Sequence, residues 1–231
     1  MLLLASSSPR RRELLQQAGF SFQIYSLPVA EDPLSGEDPV LYTQRLARAK
    51  AEAVFLALGD KVPVSDGPLL VLGADTIVVC DGHLLGKPKD PRDAIRMLHL
   101  LSGRTHQVIT GVCLVSAVGV DVAVETTHVT MQTLSLQEIL DYIATGEPVD
   151  KAGAYAIQGR AARWVPRIDG CYFNVVGLPI ALVANMMEGM QAKLAAAAPP
   201  AGPANVVPAA AVPAPVGAKR RGAFKGPAPG K

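Results

Sequence analysis

Leu69-Leu70-Val71-Leu72-Gly73-Ala74-Asp75-Thr76-Ile77-Val78-Val79-Cys80 (residues 69–80) is the stretch that decides the fold. It is apolar at both odd and even positions, which is typical of a strand buried on both faces of a sheet. Such a strand needs covering elements above and below it. A carboxylate in this run must be paired, protonated or metal-bound, so Asp75 is a candidate functional residue. A structural buried salt bridge is the alternative reading of the same residue.

Strand and helix patterns alternate on either side of this stretch. The other predicted strands are Leu2–Ala5, Phe22–Tyr25, Gln107–Val118, Asp121–Gln132 and Trp164–Ile168. The predicted helices are Arg10–Gln17, Pro39–Leu58, Pro91–Leu101, Ser135–Thr145 and Pro179–Met187. Two long strands joined at Gly119 form an antiparallel hairpin, which argues against a purely parallel, doubly wound sheet. The predicted class is therefore α/β, with a mixed sheet flanked by helices.

The composition of the chain changes near residue 190. We predict one globular domain over residues 1–190 and a disordered tail over 191–231, because Ala, Pro and Gly dominate the tail and bury little apolar surface. The tail holds six of the basic residues and no acid, which leaves 16 basic against 20 acidic residues in the domain. This balance argues against a globally basic nucleic-acid binder. A tail that contacts an acidic partner or nucleic acid is the open alternative.

The sequence predicts a cellular compartment through its apolar runs, its N-terminal segment and its cysteines. No apolar run reaches transmembrane length, and the N-terminal segment does not have the pattern of a signal peptide. The three cysteines are scattered and match neither a metal site nor a disulfide framework, which favours a reducing environment. We therefore expect a cytoplasmic protein without a membrane partner.

A candidate anion site lies at the start of the first predicted helix, in Ser6-Ser7-Ser8-Pro9-Arg10-Arg11. Ser8 suits the N-cap position, and Pro9 suits the first helical position. A helix N-terminus presents free N–H groups to an anion, and Arg10 and Arg11 add donors matched to phosphate oxygens. A capped surface helix with solvated arginines is the alternative.

A lysine is predicted to lie beside Asp75 because of a hairpin turn. Asp81-Gly82 is a two-residue type I′ signal, which places residue 80 opposite residue 83. Continuing this register puts Lys87 opposite Thr76. Lys87 is then either a salt-bridge partner of Asp75 or a phosphate ligand.

A second lysine is predicted to point inward from the long helix. Leu46, Lys50 and Val54 share one face of this helix by i, i+4 spacing. Lys50 therefore has apolar neighbours, whereas the other charges of the helix lie on its far side. A snorkelling lysine is the alternative.

Two loops complete the set of candidates. Gln158 lies in a loop of small residues and offers both a donor and an acceptor, which suits the edge of a base. Glu31 lies in an acidic loop and is a candidate metal ligand, or simply a polar loop residue. No P-loop and no histidine spacing typical of zinc occurs, so oxygen ligands favour Mg²⁺ or Mn²⁺.

Several motifs occur in register along residues 2–188. They are Leu-Ala-Ser-x-Ser-Pro-Arg-Arg at 4–11, Glu31, Arg-Leu-Ala-x-x-Lys at 45–50, Gly-Ala-Asp-Thr at 73–76, Gly-Lys-Pro at 86–88, Leu-Ser-Gly-Arg-x-His-x-Val at 101–108, Asp-Lys-Ala-Gly-Ala-Tyr-x-Ile-Gln-Gly at 150–159 and Val-x-Gly-Leu-Pro at 175–179. Together they resemble the Maf family of nucleotide pyrophosphatases. The resemblance implies the ITPase-like fold, an elongated, twisted mixed sheet with a central cleft.

The resemblance also indicates a branch of the family. Arg10, Thr76 and Gln158 look like the specificity residues of the dTTP/UTP-cleaving branch. The branch that acts on 7-methyl-GTP carries a bulky residue after Ser-Pro and Ser-Glu-Gly in place of Ile-Gln-Gly. This sequence departs from the usual pattern at Ala30, where an acid often precedes Glu31.

The reaction implied is hydrolysis of a nucleoside triphosphate to the monophosphate and pyrophosphate, which keeps unwanted nucleotides out of nucleic acids. Asp75 would be the general base, and Glu31 with Asp75 would hold Mg²⁺ or Mn²⁺. The residues expected to bind substrate phosphates are Ser6, Arg10, Arg11, Lys50 and Lys87. The family resemblance further implies a homodimer. The alternative is a non-catalytic, nucleotide-sensing regulator of septum formation.

Overall fold

The computed structural model describes residues 1–58 and 67–197, and the described residues form one open mixed sheet with helices around it. The seven strands of this part are β1 Leu2–Leu4, β2 Gln23–Ile24, β3 Leu70–Cys80, β4 His83–Leu85, β5 Thr105–Ser116, β6 Gly119–Thr130 and β7 Arg167–Asp169. The helices are α1 Pro9–Gln17, α2 Pro39–Leu58, α3 Pro91–Leu101, α4 Leu136–Ile143, α5 Tyr172–Val176 and α6 Ile180–Ala197. The predicted mixed α/β class is confirmed.

The strands follow the order β2-β1-β3-β5-β6-β7, and β4 pairs with β3. β1 lies parallel to β2 and β3, whereas all other neighbours are antiparallel. The predicted long hairpin is formed by β5 and β6, which pair from Thr105↔Thr130 to Ser116↔Gly119. No helix of the described ranges is long and apolar enough to cross a membrane.

β3 is buried on both faces, as its sequence predicts. Because side chains alternate along a strand, Leu70, Leu72 and Val78 pack into the core shared with α1, α3, α4 and α6. Val71 packs on the other face, against the apolar side of α2. Asp75 has the same parity as Val71, so its side chain lies on the α2 face of the sheet.

Two glycines bring α2 close to the sheet. A Cβ atom at Gly73 would lie 2.2 Å from the carbonyl oxygen of Ala47, and one at Gly111 would lie 2.4 Å from that of Thr43. Gly111 is the cross-strand neighbour of Asp75. Any larger residue would push the helix away, so these glycines set how near α2 lies to the buried carboxylate.

Most predicted bounds differ from the observed ones by two residues or fewer, and two elements differ by more. Trp164 does not begin a strand: it ends the 3₁₀ segment Arg160–Trp164 and is fully buried, while the strand spans Arg167–Asp169. A short apolar run does not distinguish a strand from a core-packing turn. The last helix ends at Ala197 rather than Met187, because alanine favours helix. It thus passes the boundary placed at residue 190, and residues 198–231 of the predicted tail lie outside the described residues.

Candidate active site

A cleft opens where one edge of β3 lacks a strand partner. β1 ends at Leu4 opposite Leu72, and β4 pairs with β3 only from Val78 onward. Between these points, no strand of residues 1–58 or 67–197 pairs with residues 73–77 on that side, although β5 pairs with them on the other. The cavity at this gap has a volume of about 1400 Å³ and contains Asp75 and Thr76 in its wall. This is the central cleft that the sequence resemblance implies.

Asp75 and Glu31 meet at one ammonium group. Lys50 Nζ lies 2.7 Å from Asp75 Oδ1 and 2.7 Å from Glu31 Oε1. The side chains of Asp75 and Lys50 are only 13% and 15% exposed, whereas that of Glu31 is 53% exposed. The predicted inward orientation of Lys50 is therefore confirmed, with Leu46 and Val54 buried beside it on the same helix face.

The loop that carries Glu31 is fastened to α2. The Tyr42 hydroxyl donates to the Glu31 carbonyl oxygen over 2.8 Å. Arg45 donates twice to Glu37, over 2.6 and 2.7 Å, and this hydrogen bonding lowers the pKa of Glu37 to about 2. Burial raises the pKa of Glu31, but the hydrogen bond and charge of Lys50, with the nearby Lys87 and Arg11, outweigh it and lower the pKa. Glu31 is thus held as a carboxylate at the cleft.

The predicted register of Lys87 is wrong. The Asp81-Gly82 turn forms as expected, with φ of 48° and 77°, and Cys80 faces His83. The ladder, however, ends at Val78↔Leu85, two residues before Lys87. Lys87 therefore does not lie opposite Thr76.

The β3–β4 ladder ends because the backbone after β4 forms its next hydrogen bond with the segment around Gly153 and not with β3. The Gly86 carbonyl accepts from Gly153 N over 3.0 Å. Lys87 still lies in the cleft wall, and its positive charge contributes to the lowered pKa of Glu31. Within residues 1–58 and 67–197, Lys87 forms no ion pair, so Lys50 rather than Lys87 is the partner of Asp75.

Arg11 is a buried guanidinium that links four parts of the cleft wall. Nε donates to Gly177 O over 2.9 Å, and Nη1 donates to Ser6 Oγ and Ala74 O over 3.1 and 2.8 Å. Nη2 donates to Thr76 Oγ1 over 3.0 Å. Four of the five N–H donors are therefore engaged, and burial lowers the pKa of Arg11. Arg11 satisfies the Ala74 carbonyl that faces the gap in the sheet.

Arg10 lies at the mouth of the cleft and pairs with Asp150. Nη1 lies 3.0 Å from Asp150 Oδ2, and Nη2 donates to the Asp150 carbonyl over 3.1 Å. Lys151 also donates to the Asp150 carboxylate. Burial raises the pKa of Asp150, but the hydrogen bonds from Lys151 and Arg10 outweigh it and lower the pKa. The predicted N-cap at Ser8 is present with Pro9 at the first position, although the Ser8 side chain makes no capping bond.

Thr76 and Gln158 both line the cleft but lie in different surroundings. Thr76 Oγ1 is 2.9 Å from Thr110 Oγ1 on β5, and it accepts from Arg11. Gln158 is exposed, at a turn that lines the same cavity. The structure thus brings every residue predicted for the site to one cavity, including Ser6, Arg10, Lys50 and Lys87.

Three further positions contribute to the site or lie beneath it and were not predicted from the sequence. Tyr42 anchors the Glu31 loop, and its place eight residues before Lys50 on α2 was the available signal. Asp150 pairs with Arg10, although only the motif around it was noted. His106 Nε2 lies 2.8 Å from the Tyr155 hydroxyl, and the two side chains form a buried pair beneath the cleft. The two residues are 49 positions apart in the chain, so no local sequence pattern indicates that they pair.

The carboxylates present suit a hard divalent cation. Glu31 and Asp75 direct one oxygen each to the same positive group. No cluster of three or more His, Cys, Asp or Glu side chains suited to a metal occurs in the described part of the chain. Mg²⁺ usually binds one or two carboxylates and takes its other ligands from substrate phosphates and water. The pair therefore fits a cation that arrives with a phosphorylated substrate.

Comparison with known proteins identifies a family and several similar proteins. A family profile described as "Maf-like protein" matches residues 1–190. A dTTP/UTP pyrophosphatase of Koribacter versatilis is 55% identical over 187 residues, which cover 81% of this chain and 93% of that protein. The dTTP/UTP pyrophosphatase of a Geobacillus species is 51% identical, covering 78% and 92%. That of Citrifermentans bemidjiense is 49% identical, covering 81% and 94%.

Proposed function

The chain belongs to the Maf family, and we propose that it is a nucleoside triphosphate pyrophosphatase that hydrolyses dTTP and UTP to the monophosphate and pyrophosphate. The observation that carries this function is the bridge of Lys50 between Asp75 and Glu31, at a break in the sheet surrounded by cationic side chains. Three relatives at about 50% identity over most of their length have that enzyme name. A protein that only binds a nucleotide does not need a mostly buried carboxylate held in one orientation, so the geometry favours the enzyme over the non-catalytic sensor.

Asp75 acts as the general base. Lys50 holds Oδ1, and no residue in the described part of the chain donates to Oδ2. Oδ2 is therefore open to a water molecule, which it orients and deprotonates. The water oxygen forms a bond to the α-phosphorus while the bond to the pyrophosphate oxygen breaks, and the pyrophosphate leaves in line.

The cationic side chains hold the phosphates. Lys87 has no ion-pair partner in the described residues and is open to a phosphate oxygen. Arg10 gives up part of its contact with Asp150 and binds a phosphate oxygen instead. Arg11 has one N–H donor left, so its main part is to hold Ser6 and Thr76 in place. Positive groups fixed before substrate arrives stabilise the charge that develops during phosphoryl transfer.

Arg10, Thr76 and Gln158 recognise the pyrimidine. They line one cavity, and each offers a hydrogen-bonding group to a small base. Glu31 and Asp75 would hold Mg²⁺ or Mn²⁺, which supplies neutralisation of phosphate charge when bound. We also place the enzyme in the cytoplasm as a homodimer that removes unwanted pyrimidine nucleotides. The free cysteines, two of them buried, suit a reducing compartment, and the dimer rests on the family resemblance.

The test is pyrophosphate release from the purified full chain with Mg²⁺ or Mn²⁺ and dTTP, UTP, CTP, GTP or 7-methyl-GTP. We expect turnover of dTTP and UTP that is lost in Asp75→Asn. The matched control is Asp141→Asn, which removes a carboxylate from the exposed side of α4 and should leave turnover unchanged. Full activity in Asp75→Asn would contradict the assigned base. Tight nucleotide binding without turnover would contradict the enzyme and favour the regulator.

A further inference from the structure

Gln158 is presented by a short turn that is fastened at both ends. The Gly159 N–H donates to the Ala156 carbonyl over 3.0 Å, which closes the turn. Ile157 points into the core, and Gln158 is exposed toward the cleft. The position of the Gln158 amide therefore depends on what holds residues 156–160.

Tyr142 and Glu147 hold both ends of this turn. The Tyr142 hydroxyl accepts from Ala156 N over 3.0 Å and donates to Glu147 Oε1 over 2.8 Å. The Glu147 carboxylate accepts from Arg160 N over 3.1 and 3.2 Å. Burial, and then the Glu147 carboxylate, raise the pKa of Tyr142, so the phenol keeps the proton that it donates. One hydroxyl and one carboxylate thus fix the turn on either side of Gln158.

Gly159 provides a second and independent observation. A Cβ atom there would lie 1.9 Å from Glu147 Oε1 and 2.4 Å from its Cδ. The φ of Gly159 is −104°, a value that other residues adopt readily, so no backbone strain demands glycine. The carboxylate of Glu147 occupies the space where any side chain at position 159 would begin.

We propose that Glu147, acting with Tyr142, is a positioning residue for base selection. It does not line the cleft: it holds the turn so that the Gln158 amide reaches the edge of the base. This inference rests on the proposed function, because it assumes that Gln158 reads a pyrimidine in the cleft.

The orientation of the amide decides which pyrimidine is accepted. Uracil presents an acceptor at C4 and a donor at N3, whereas cytosine presents a donor at C4 and an acceptor at N3. A glutamine amide has one acceptor end and one donor end, and it matches uracil when the donor end meets C4 and the acceptor end meets N3. The turn sets how closely the amide approaches this edge of the base, so a loosened turn weakens the contact with uracil and discrimination between the two bases falls.

The experiment compares kcat/KM for UTP and CTP in the full-length wild type, Glu147→Ala and Glu147→Gln, with titration of UMP and CMP binding. In Glu147→Ala we expect the UTP/CTP ratio to fall about fivefold, mainly through a higher KM for UTP. Glu147→Gln keeps an acceptor for Arg160 N and should restore most of the ratio. Gly159→Ala should lower the ratio as Glu147→Ala does, because its methyl group displaces only the flexible carboxylate.

Two controls separate positioning from general weakening. Glu138→Ala removes another carboxylate that caps a backbone, at the start of α4 outside the cleft, and should leave the ratio unchanged. In a Gln158→Ala background, Glu147→Ala should change the ratio no further. Loss of folded protein alone lowers kcat/KM for both nucleotides by the same factor.

The outcomes are distinguishable. Active enzyme whose UTP/CTP ratio is unchanged in both Glu147→Ala and Gly159→Ala overturns the positioning role and leaves the proposed function intact. If turnover is absent but UMP binds, the UMP/CMP ratio tests the positioning role in the same way. A wild type that neither hydrolyses UTP nor binds UMP overturns both.

Discussion

Replacing Arg11 with lysine should destabilise the protein by about 3–6 kcal/mol. The three nitrogen atoms of the guanidinium donate to four acceptors, of which Gly177 O, Ser6 Oγ and Ala74 O are buried and Thr76 Oγ1 is partly buried. A lysine has a single nitrogen, so it reaches about two of these positions. The two lost bonds come from a charged donor, and each contributes about 1.5–3 kcal/mol. The result is a large fraction of the 5–15 kcal/mol typical of a domain.

Urea unfolding followed by circular dichroism measures this loss, with the slope of the transition as a check on the denatured state. Arg12→Lys is the matched control. Arg12 is the exposed neighbour in the same helix, and the same exchange there should change the free energy of unfolding by less than about 0.5 kcal/mol. If Arg11→Lys lost under about 1 kcal/mol with an unchanged slope, the four bonds would not hold the cleft wall as described.

Two more predictions concern the mouth of the cleft and its floor. Asp150→Ala removes the carboxylate that positions Arg10 at the cleft. Because the ion pair is exposed, the free energy of unfolding should change by less than about 1 kcal/mol. The less ordered Arg10 should lower kcat/KM for UTP severalfold, whereas Glu52→Ala, which breaks an exposed pair elsewhere, should alter neither quantity. Burial lowers the pKa of His106 to about 4, so its folded form resists protonation and the unfolded chain takes up a proton first. Stability should be full above pH 6.5 and fall by about 3 kcal/mol toward pH 4. Unfolding at pH 7 and pH 4 should show this loss reduced in His106→Gln; an equal loss in the variant would refute it.

The helices and long strands were predictable because their patterns are local. Both ends of α2 and α3 were predicted to the residue, since proline marks each start and the apolar spacing marks each body. The helix predicted from Ser135 likewise begins there, because Ser135 is its N-cap and forms a capping box with Glu138. Trp164 was misplaced because burial in the core and pairing in a sheet produce the same short apolar run.

The cleft residues were predictable in part. The inward orientation of Lys50 followed from helix periodicity, which needs no knowledge of the rest of the fold. The position of Lys87 did not follow, because a competing hydrogen bond between Gly153 N and Gly86 O ends the ladder early. That bond joins segments far apart in the chain, and no pattern around residues 80–88 indicates it.

The sequence by itself determined that β3 is buried on both faces, that Asp75 lies within it and that α2 directs a lysine inward. These properties depend on periodicity and on the cost of burying a charge. Only the tertiary structure decided which cation meets Asp75, because α2 crosses the sheet where Gly73 and Gly111 allow contact. It also decided that Arg11 stabilises the cleft wall, since its four acceptors come from positions up to 166 residues away in the chain.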